Sequence, residues 1–376
     1  MSLPPLANSP IWDDGHWLGY APLRSDIGAD ACVVGLGGSG LACIQELLSQ
    51  GLRVVGVDAA SVGGGAGGRN GGFFLAGVAA FHHDAATALG RDRATALYRR
   101  TLSEMDRMTA ETPMLIRRVG SLRIAASEEE LADCTTQRAA MEADGLPVEW
   151  YRGPEGEGLL FPSDGVFNPL LRCRDLATRA SLAGARLYEG TTVTGLSAGE
   201  VVTEHGVIRA PRIVVAVDGG LALLLPEISA QVRSVRLQML ATAPAPEVTF
   251  PRPVYLRYGF EYFQQLPDQS IAMGGFRDAG GEAEWTDDAS PSPELQGLLE
   301  QLLRDHLRVR APITHRWAGV VSYTASGLPL VAEVRPGVWA LGGYNGTGNV
   351  VGAVCGRGVA QLVGHGSTEL LAELLN

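Results

Sequence analysis

The chain of 376 residues carries 30 basic residues, every one an arginine, against 41 acidic ones, for a net charge of −11. That balance excludes nucleic acid and an anionic membrane surface as main partners, and the absence of lysine excludes Schiff-base and P-loop chemistry. Hydrophobic residues at 46% and charged ones at 19% describe a globular chain long enough for two domains, while 49 glycines, roughly twice the usual share, point to loops laid against a ligand.

Cys32, Cys43, Cys134, Cys173 and Cys355 are scattered and form no Cys-x-x-Cys pair, so neither a disulfide framework nor a metal site is expected. Reduced, buried thiols in a cytoplasm fit best. Asp13, Asp14 and His16 stand where a signal peptide would place a basic region, and no apolar run is long enough to span a bilayer.

Residues 1–30 read as a mixed segment whose Trp12, Trp17 and Tyr20 lie on the body of the protein. Ala31 to Gly35 is a short apolar strand, Leu41 to Gln50 a helix stopped by Gly51, and Leu52 to Val57 a second strand ending on Asp58. Ala85 to Thr112 is helical. A strand at Ser121 to Ala125 precedes a helix from Ser127 to Asp144, with Glu130 in capping-box register. A helix over Arg174 to Ala185 leads to strands at Arg186 to Tyr188, Thr192 to Leu196, Val201 to Thr203 and Ile213 to Val217. Val232 to Met273 alternates as an antiparallel sheet does, Pro293 to Leu307 is a helix, and Gly352 to Gly364 is the last one.

The first strand, helix and strand enclose Gly35-Leu36-Gly37-Gly38-Ser39-Gly40, a Gly-x-Gly-x-x-Gly turn in the context a dinucleotide requires. The helix start offers free N–H groups to phosphates, and Asp58 is placed to accept from a ribose hydroxyl, which disfavours a ribose phosphate. A glycine run over Ser61 to Gly72 follows at once, where a nicotinamide-type fold would continue into its crossover helix, and implies backbone laid along an extended ligand.

Gly68-Arg69-Asn70-Gly71-Gly72, Asp164-Gly165-Val166-Phe167-Asn168-Pro169, Ile213-Val214-Val215-Ala216, Trp317-Ala318-Gly319, Tyr323-Thr324, Gly327-Leu328-Pro329 and Gly342 to Gly348 follow in order. With the first motif they resemble the D-amino-acid-oxidase-like FAD oxidoreductases, in the branch of gamma-glutamylputrescine oxidase and the sarcosine and glycine oxidases. The resemblance implies an α/β protein with a Rossmann-like FAD-binding domain of glutathione-reductase type and a second, mostly antiparallel α+β substrate domain. The expected division is 1–84, 154–230 and 314–376 for the FAD domain, and 85–153 and 231–313 for the substrate domain.

The expected FAD contacts are Gly35, Gly37, Gly38, Ser39, Gly40, Asp58 and Ala59 in the first unit, and Gly68, Arg69, Asn70, Gly71 and Gly72 in the loop. Val193 and Gly219 follow, then Gly343, Tyr344, Gly346, Thr347 and Gly348. Substrate-site candidates are Tyr262, Arg257, Arg277 and Tyr323, an arginine being suited to clamp a carboxylate. The implied reaction is oxidation of an amine or amino acid C–N bond by hydride transfer to flavin, giving an imine that hydrolyses.

The chain also departs from the resemblance. Val321 stands where sarcosine-oxidase relatives attach flavin through a cysteine, so FAD is expected to be non-covalent. No lysine is available for oxygen activation, which leaves oxygen or another electron acceptor, and Gln264 stands where relatives often carry an arginine. Two alternatives are an electron-transfer or non-catalytic flavoprotein subunit and an NAD-dependent dehydrogenase.

Overall fold

The computed structural model describes residues 8–375; the outermost parts of the expected 1–84 and 314–376 segments, residues 1–7 and 376, lie outside them. The organising unit is β1 (Ala31–Val34), α1 (Gly38–Ser49) and β2 (Val54–Val57). Both strands are buried throughout, as the core of a parallel sheet demands. They pair in parallel and sit inside a six-stranded sheet that also takes Arg186–Tyr188, Ile213–Val215, Val338–Gly342 and, antiparallel at the edge, Leu330–Arg335. Three stretches of chain far apart in sequence thus build one sheet. One face is covered by α1 and the helix Gly348–His365, whose Val351, Cys355 and Val359 share a buried cluster with Leu41, Ile44 and Leu47.

A second sheet of eight strands runs in the order Ile313–Thr324, Val232–Thr242, Ile271–Gly274, Glu261–Gln265, Val254–Leu256, Ser121–Ile124, Gly156–Phe161, Glu149–Gly153. Its pairs are antiparallel except Val254–Leu256 with Ser121–Ile124. Residues 156–161 and 314–324, expected with the cofactor domain, are hydrogen-bonded into this sheet. The reason is continuity: Ile313–Thr324 pairs with Val232–Thr242 along its whole length, from Val232 opposite Thr324 to Thr242 opposite Ile313.

Helix boundaries move for local reasons. The helix expected over 85–112 is two, His82–Leu89 and Arg91–Glu111, separated by Gly90 at φ +86°. The helix expected from Arg174 begins five residues earlier at Pro169, because Asn168 caps it by accepting from the Leu171 N–H at 2.9 Å. Ser127 caps Glu128–Ala143 through the Glu130 N–H as expected, while the Glu130 carboxylate accepts from Ala126 N. The helix from Pro293 is regular to Gln301 and then widens into a π-turn over Leu302–His306. No helix among the described residues is long and apolar enough to cross a membrane, and all five cysteines are free and buried.

Candidate functional site

The two sheets enclose a cavity of about 750 Å³. At one end its floor is the turn between β1 and α1. Gly35 there has φ +106°, and an added Cβ would come within 2.5 Å of the Ala216 carbonyl oxygen, so no other residue fits. A Cβ on Gly38 or Gly65 would meet no atom and project into open space, which leaves bare backbone exposed to a ligand. No side chain caps the amino end of α1, so its first N–H groups remain for an anion. Asp58 stands across the turn, its carboxylate accepting from Leu36 N and Ala60 N at 2.8 Å each. Burial raises its pKa against the pull of those two bonds, and each oxygen keeps a lone pair for a hydroxyl donor. This set of bare glycine backbone, open helix end and carboxylate fits a dinucleotide.

The loop after β2 is held from outside. Trp12 Nε1 donates to Asn70 O at 2.8 Å and Trp317 Nε1 to Arg69 O at 2.7 Å, with the two indoles edge to face. The Arg69 guanidinium is spent on the Ala318 carbonyl and on Asn8, and the Asn70 amide closes its own loop by donating to Ala66 and Gly67 and accepting from Gly72 N. Asn349 completes the arrangement, donating to Asn70 Oδ1 at 3.0 Å and Phe73 O at 2.8 Å. Gln264 donates to Gly71 O at 2.5 Å, so the residue that replaces the expected arginine supports this loop instead of facing the cavity.

Strand alternation sets the other wall. Leu237 and Met239 lie opposite Gly319 and Trp317, and Gly319, Val321 and Tyr323 follow at every second position toward the cavity. Tyr262 joins them across the sheet, where Gly274 makes room: a Cβ there would stand 2.6 Å from the phenol oxygen. Burial pushes the Tyr262 hydroxyl far up, and it raises Tyr323 as well, against the pull of the nearby Arg277 charge. Arg277 lies 4.9 Å from the Tyr323 ring centre and 5.8 Å from that of Trp285, and forms no ion pair among the described residues.

Most sequence candidates line this cavity: Gly35, Gly37, Gly38, Ser39, Asp58, Ala59, Arg69, Asn70, Gly71, Val193, Tyr344, Gly346, Thr347 and Gly348, with Tyr262, Arg277 and Tyr323. Six lie behind its wall. Gly40, Gly68, Gly72, Gly219 and Gly343 are packing positions; a Cβ on Gly40 would fall 2.0 Å from Gly35 O and one on Gly219 2.4 Å from Val320 O. Arg257 is the sixth, and its guanidinium is held by Glu261 at 2.6 Å and Asp278 at 2.9 Å.

Sequence reasoning missed Asn349 and Arg172. Arg172 lines the cavity with Nε and Nη2 lacking hydrogen-bond partners, Glu111 standing at 3.5 Å. A buried guanidinium with unused donors also fits a group that brings acceptors. It lies in the first turn of the helix Pro169–Leu182, three residues past the Asp164 to Pro169 motif, and that proximity was the available signal.

A family model described as DAO, FAD dependent oxidoreductase, matches residues 30–362. The probable oxidoreductase OrdL of Rhizobium meliloti (strain 1021) is 29% identical over 375 residues, covering 91% of this chain and 84% of that protein. Gamma-glutamylputrescine oxidoreductase of Escherichia coli (strain K12) is 25% identical, covering 92% of this chain and 86% of its own length. Among solved structures, glycine oxidase from Geobacillus kaustophilus superposes with a TM-score of 0.75 at 21% identity over 91% of this chain and 96% of its own, a likeness of fold. The NAD-dependent alternative falls to the family match, and FAD is the cofactor of that family. The chain belongs to the DAO family of FAD-dependent oxidoreductases.

Proposed function

We propose that the enzyme oxidises the C–N bond of an amino acid or a related amine, with FAD held non-covalently. The observation that carries this reading is Arg277. It faces the cavity from an aromatic setting without a carboxylate partner, whereas Arg257, on an earlier segment of the same sheet region, is consumed by two. Tyr323 links that cation to the cofactor side, since its hydroxyl lies 3.2 Å from where a Cβ on Gly346 would be. A substrate carboxylate placed on the Arg277 fork would set the adjacent C–N bond between Tyr323 and Tyr262.

When bound, FAD would supply the acceptor for a hydride from the carbon that bears the amine; with loss of a proton from nitrogen this leaves an imine, which water hydrolyses. The chain's own part is orientation and exclusion of water. Tyr262 and Tyr323 keep their protons at any ordinary pH and act as donors, and Leu237, Met239 and Val321 keep the wall apolar. The amino end of Gly348–His365 carries no side-chain cap and opens on the cavity beside Gly346 and Thr347, where its N–H groups can stabilise negative charge on the ring.

The non-covalent reading rests on Val321 in the wall and on Cys173, the cysteine lining the cavity, whose thiol burial pushes up to about 11. Buried free thiols suit a reducing compartment, so the reading keeps the enzyme in the cytoplasm.

The test is an anaerobic titration of the yellow protein with amines and with D- and L-amino acids, followed by oxygen or an artificial acceptor dye, because the chain has no lysine for oxygen activation. Bleaching by one substrate class, with free FAD released on denaturation, is expected. A flavin that nothing in the panel reduces would overturn the reading.

A further inference from the structure

The cavity does not end at the cofactor loop. Beyond Phe73 it continues along residues 75–82 into a lobe bounded by Tyr98, Phe161, Asp164 and Tyr255. Asp164 sits just past the strand Gly156–Phe161 and is 3% exposed. One carboxylate oxygen accepts from Ala76 N at 3.0 Å and the other from Ser121 Oγ at 2.6 Å, which leaves lone pairs on both. Asp164 forms no ion pair among the described residues; the nearby Arg118 is taken by Asp106 and the Ser163 carbonyl.

A carboxylate sealed among rings without a cation is expensive unless it is neutralised or a positive group reaches it. Burial does push Asp164 up, to about 7, and its charge adds to the burial that raises Tyr98 and Tyr255. The surroundings also suit a cation. Tyr98, Phe161 and Tyr255 line the cavity together with Asp164, Tyr255 stacked on Phe161, so aromatic rings border the space that the carboxylate shares.

We infer that this lobe is the specificity pocket for a second, positively charged group of the substrate, an ammonium or guanidinium received by Asp164 between Tyr98 and Tyr255. The inference rests on the amino acid reading above: with the carboxylate on Arg277 and a distal cation on Asp164, the substrate class is an amino acid with a basic side chain. Both residues line the same cavity.

The experiment compares lysine, ornithine and arginine with norleucine and norvaline, each enantiomer separately, on the holoenzyme, reading flavin reduction and perturbation of the flavin absorption band. A charge-assisted contact predicts a preference for the basic members of about tenfold or more in kcat/KM. In Asp164→Asn the two hydrogen bonds can persist while the charge is lost, so the preference should collapse with FAD content retained. Tyr98→Leu, which keeps the carboxylate and removes a ring, should weaken it in the same direction and serves if the first variant does not fold.

If norleucine reduces the flavin as well as lysine does, oxidation stands and the lobe assignment is overturned. Basic amino acids that shift the flavin band in an Asp164-dependent way without reducing it would uphold the lobe and sink the reaction. Silence from every compound in both readouts overturns both.

Discussion

The indole of Trp317 donates to the carbonyl of Arg69 across 2.7 Å, joining residues 248 positions apart. Trp317 is fully buried in the eight-stranded sheet, and Arg69 ends the short helix Ala66–Arg69 that follows the strand–helix–strand unit. The bond therefore ties the eight-stranded sheet to the glycine loop at the cavity wall. Trp317→Phe keeps a ring and removes the donor, leaving a buried carbonyl unsatisfied at a cost of about 1–3 kcal/mol. FAD affinity, measured by fluorescence titration of the apoprotein, should weaken by about fivefold or more; an unchanged dissociation constant would show that the loop keeps its shape without the tryptophan.

The glycines of the first turn separate into two kinds, and alanine tells them apart. At Gly40 an added methyl would lie 2.0 Å from Gly35 O, so Gly40→Ala should fold poorly whatever FAD is supplied. At Gly38 the methyl meets nothing within 4 Å, so Gly38→Ala should fold, with near-native circular dichroism, and lose FAD affinity. Equal behaviour of the two variants would contradict this division.

The two candidate arginines should part in kinetics. Arg277→Met should raise KM for carboxylate-bearing substrates by roughly ten- to a hundredfold, as loss of hydrogen bonds to a charged group does. Arg257→Met instead strands Glu261, which is 2% exposed, and should lower the melting temperature while KM changes little. A KM effect confined to Arg257 would reverse the assignment.

Asp164 also makes a prediction about pH. Burial raises its carboxyl to about 7, with Ser121, Ala76 N and Arg118 pulling downward and Tyr98 and Tyr255 close by. Unfolded, the group titrates near 3.9, so it binds its proton more tightly in the folded chain. The stability this provides is complete below about pH 4 and is lost as pH rises through about 7. Thermal denaturation between pH 4.5 and 8 should therefore show a smaller decline with rising pH for Asp164→Asn than for the natural chain. Parallel slopes would mean that Asp164 is not a raised carboxyl.

What could be read from the sequence is what local geometry dictates. A glycine turn between a buried strand and a helix, with Asp58 at the end of the next strand, lies within one short stretch of chain, and its spacing carries its meaning. The capping of Glu128–Ala143 by Ser127 is legible for the same reason. The start of the helix at Pro169 was in principle readable from Asn168-Pro169, but the arginine-rich stretch after it drew the boundary inward.

Other assignments needed the tertiary structure, because they depend on which strands become neighbours. Arg257 and Arg277 are alike in sequence, each beside aromatic residues; only the folded chain shows Arg257 facing Glu261 and Asp278 and Arg277 facing the cavity. Trp12 and Trp317 become clamps on one loop only after their segments meet there. Asp164 opens a motif of the resemblance in the sequence, and only the folded chain brings Ser121 and Ala76 over it and leaves its carboxylate in a ring-lined lobe. The sequence pointed to a dinucleotide because its glycine turn, helix start and Asp58 are continuous in the chain, and to FAD because a further glycine run and an ordered set of motifs follow; the opposite cavity wall is assembled from strands and loops remote in sequence, and only their packing decides which charges remain unpaired.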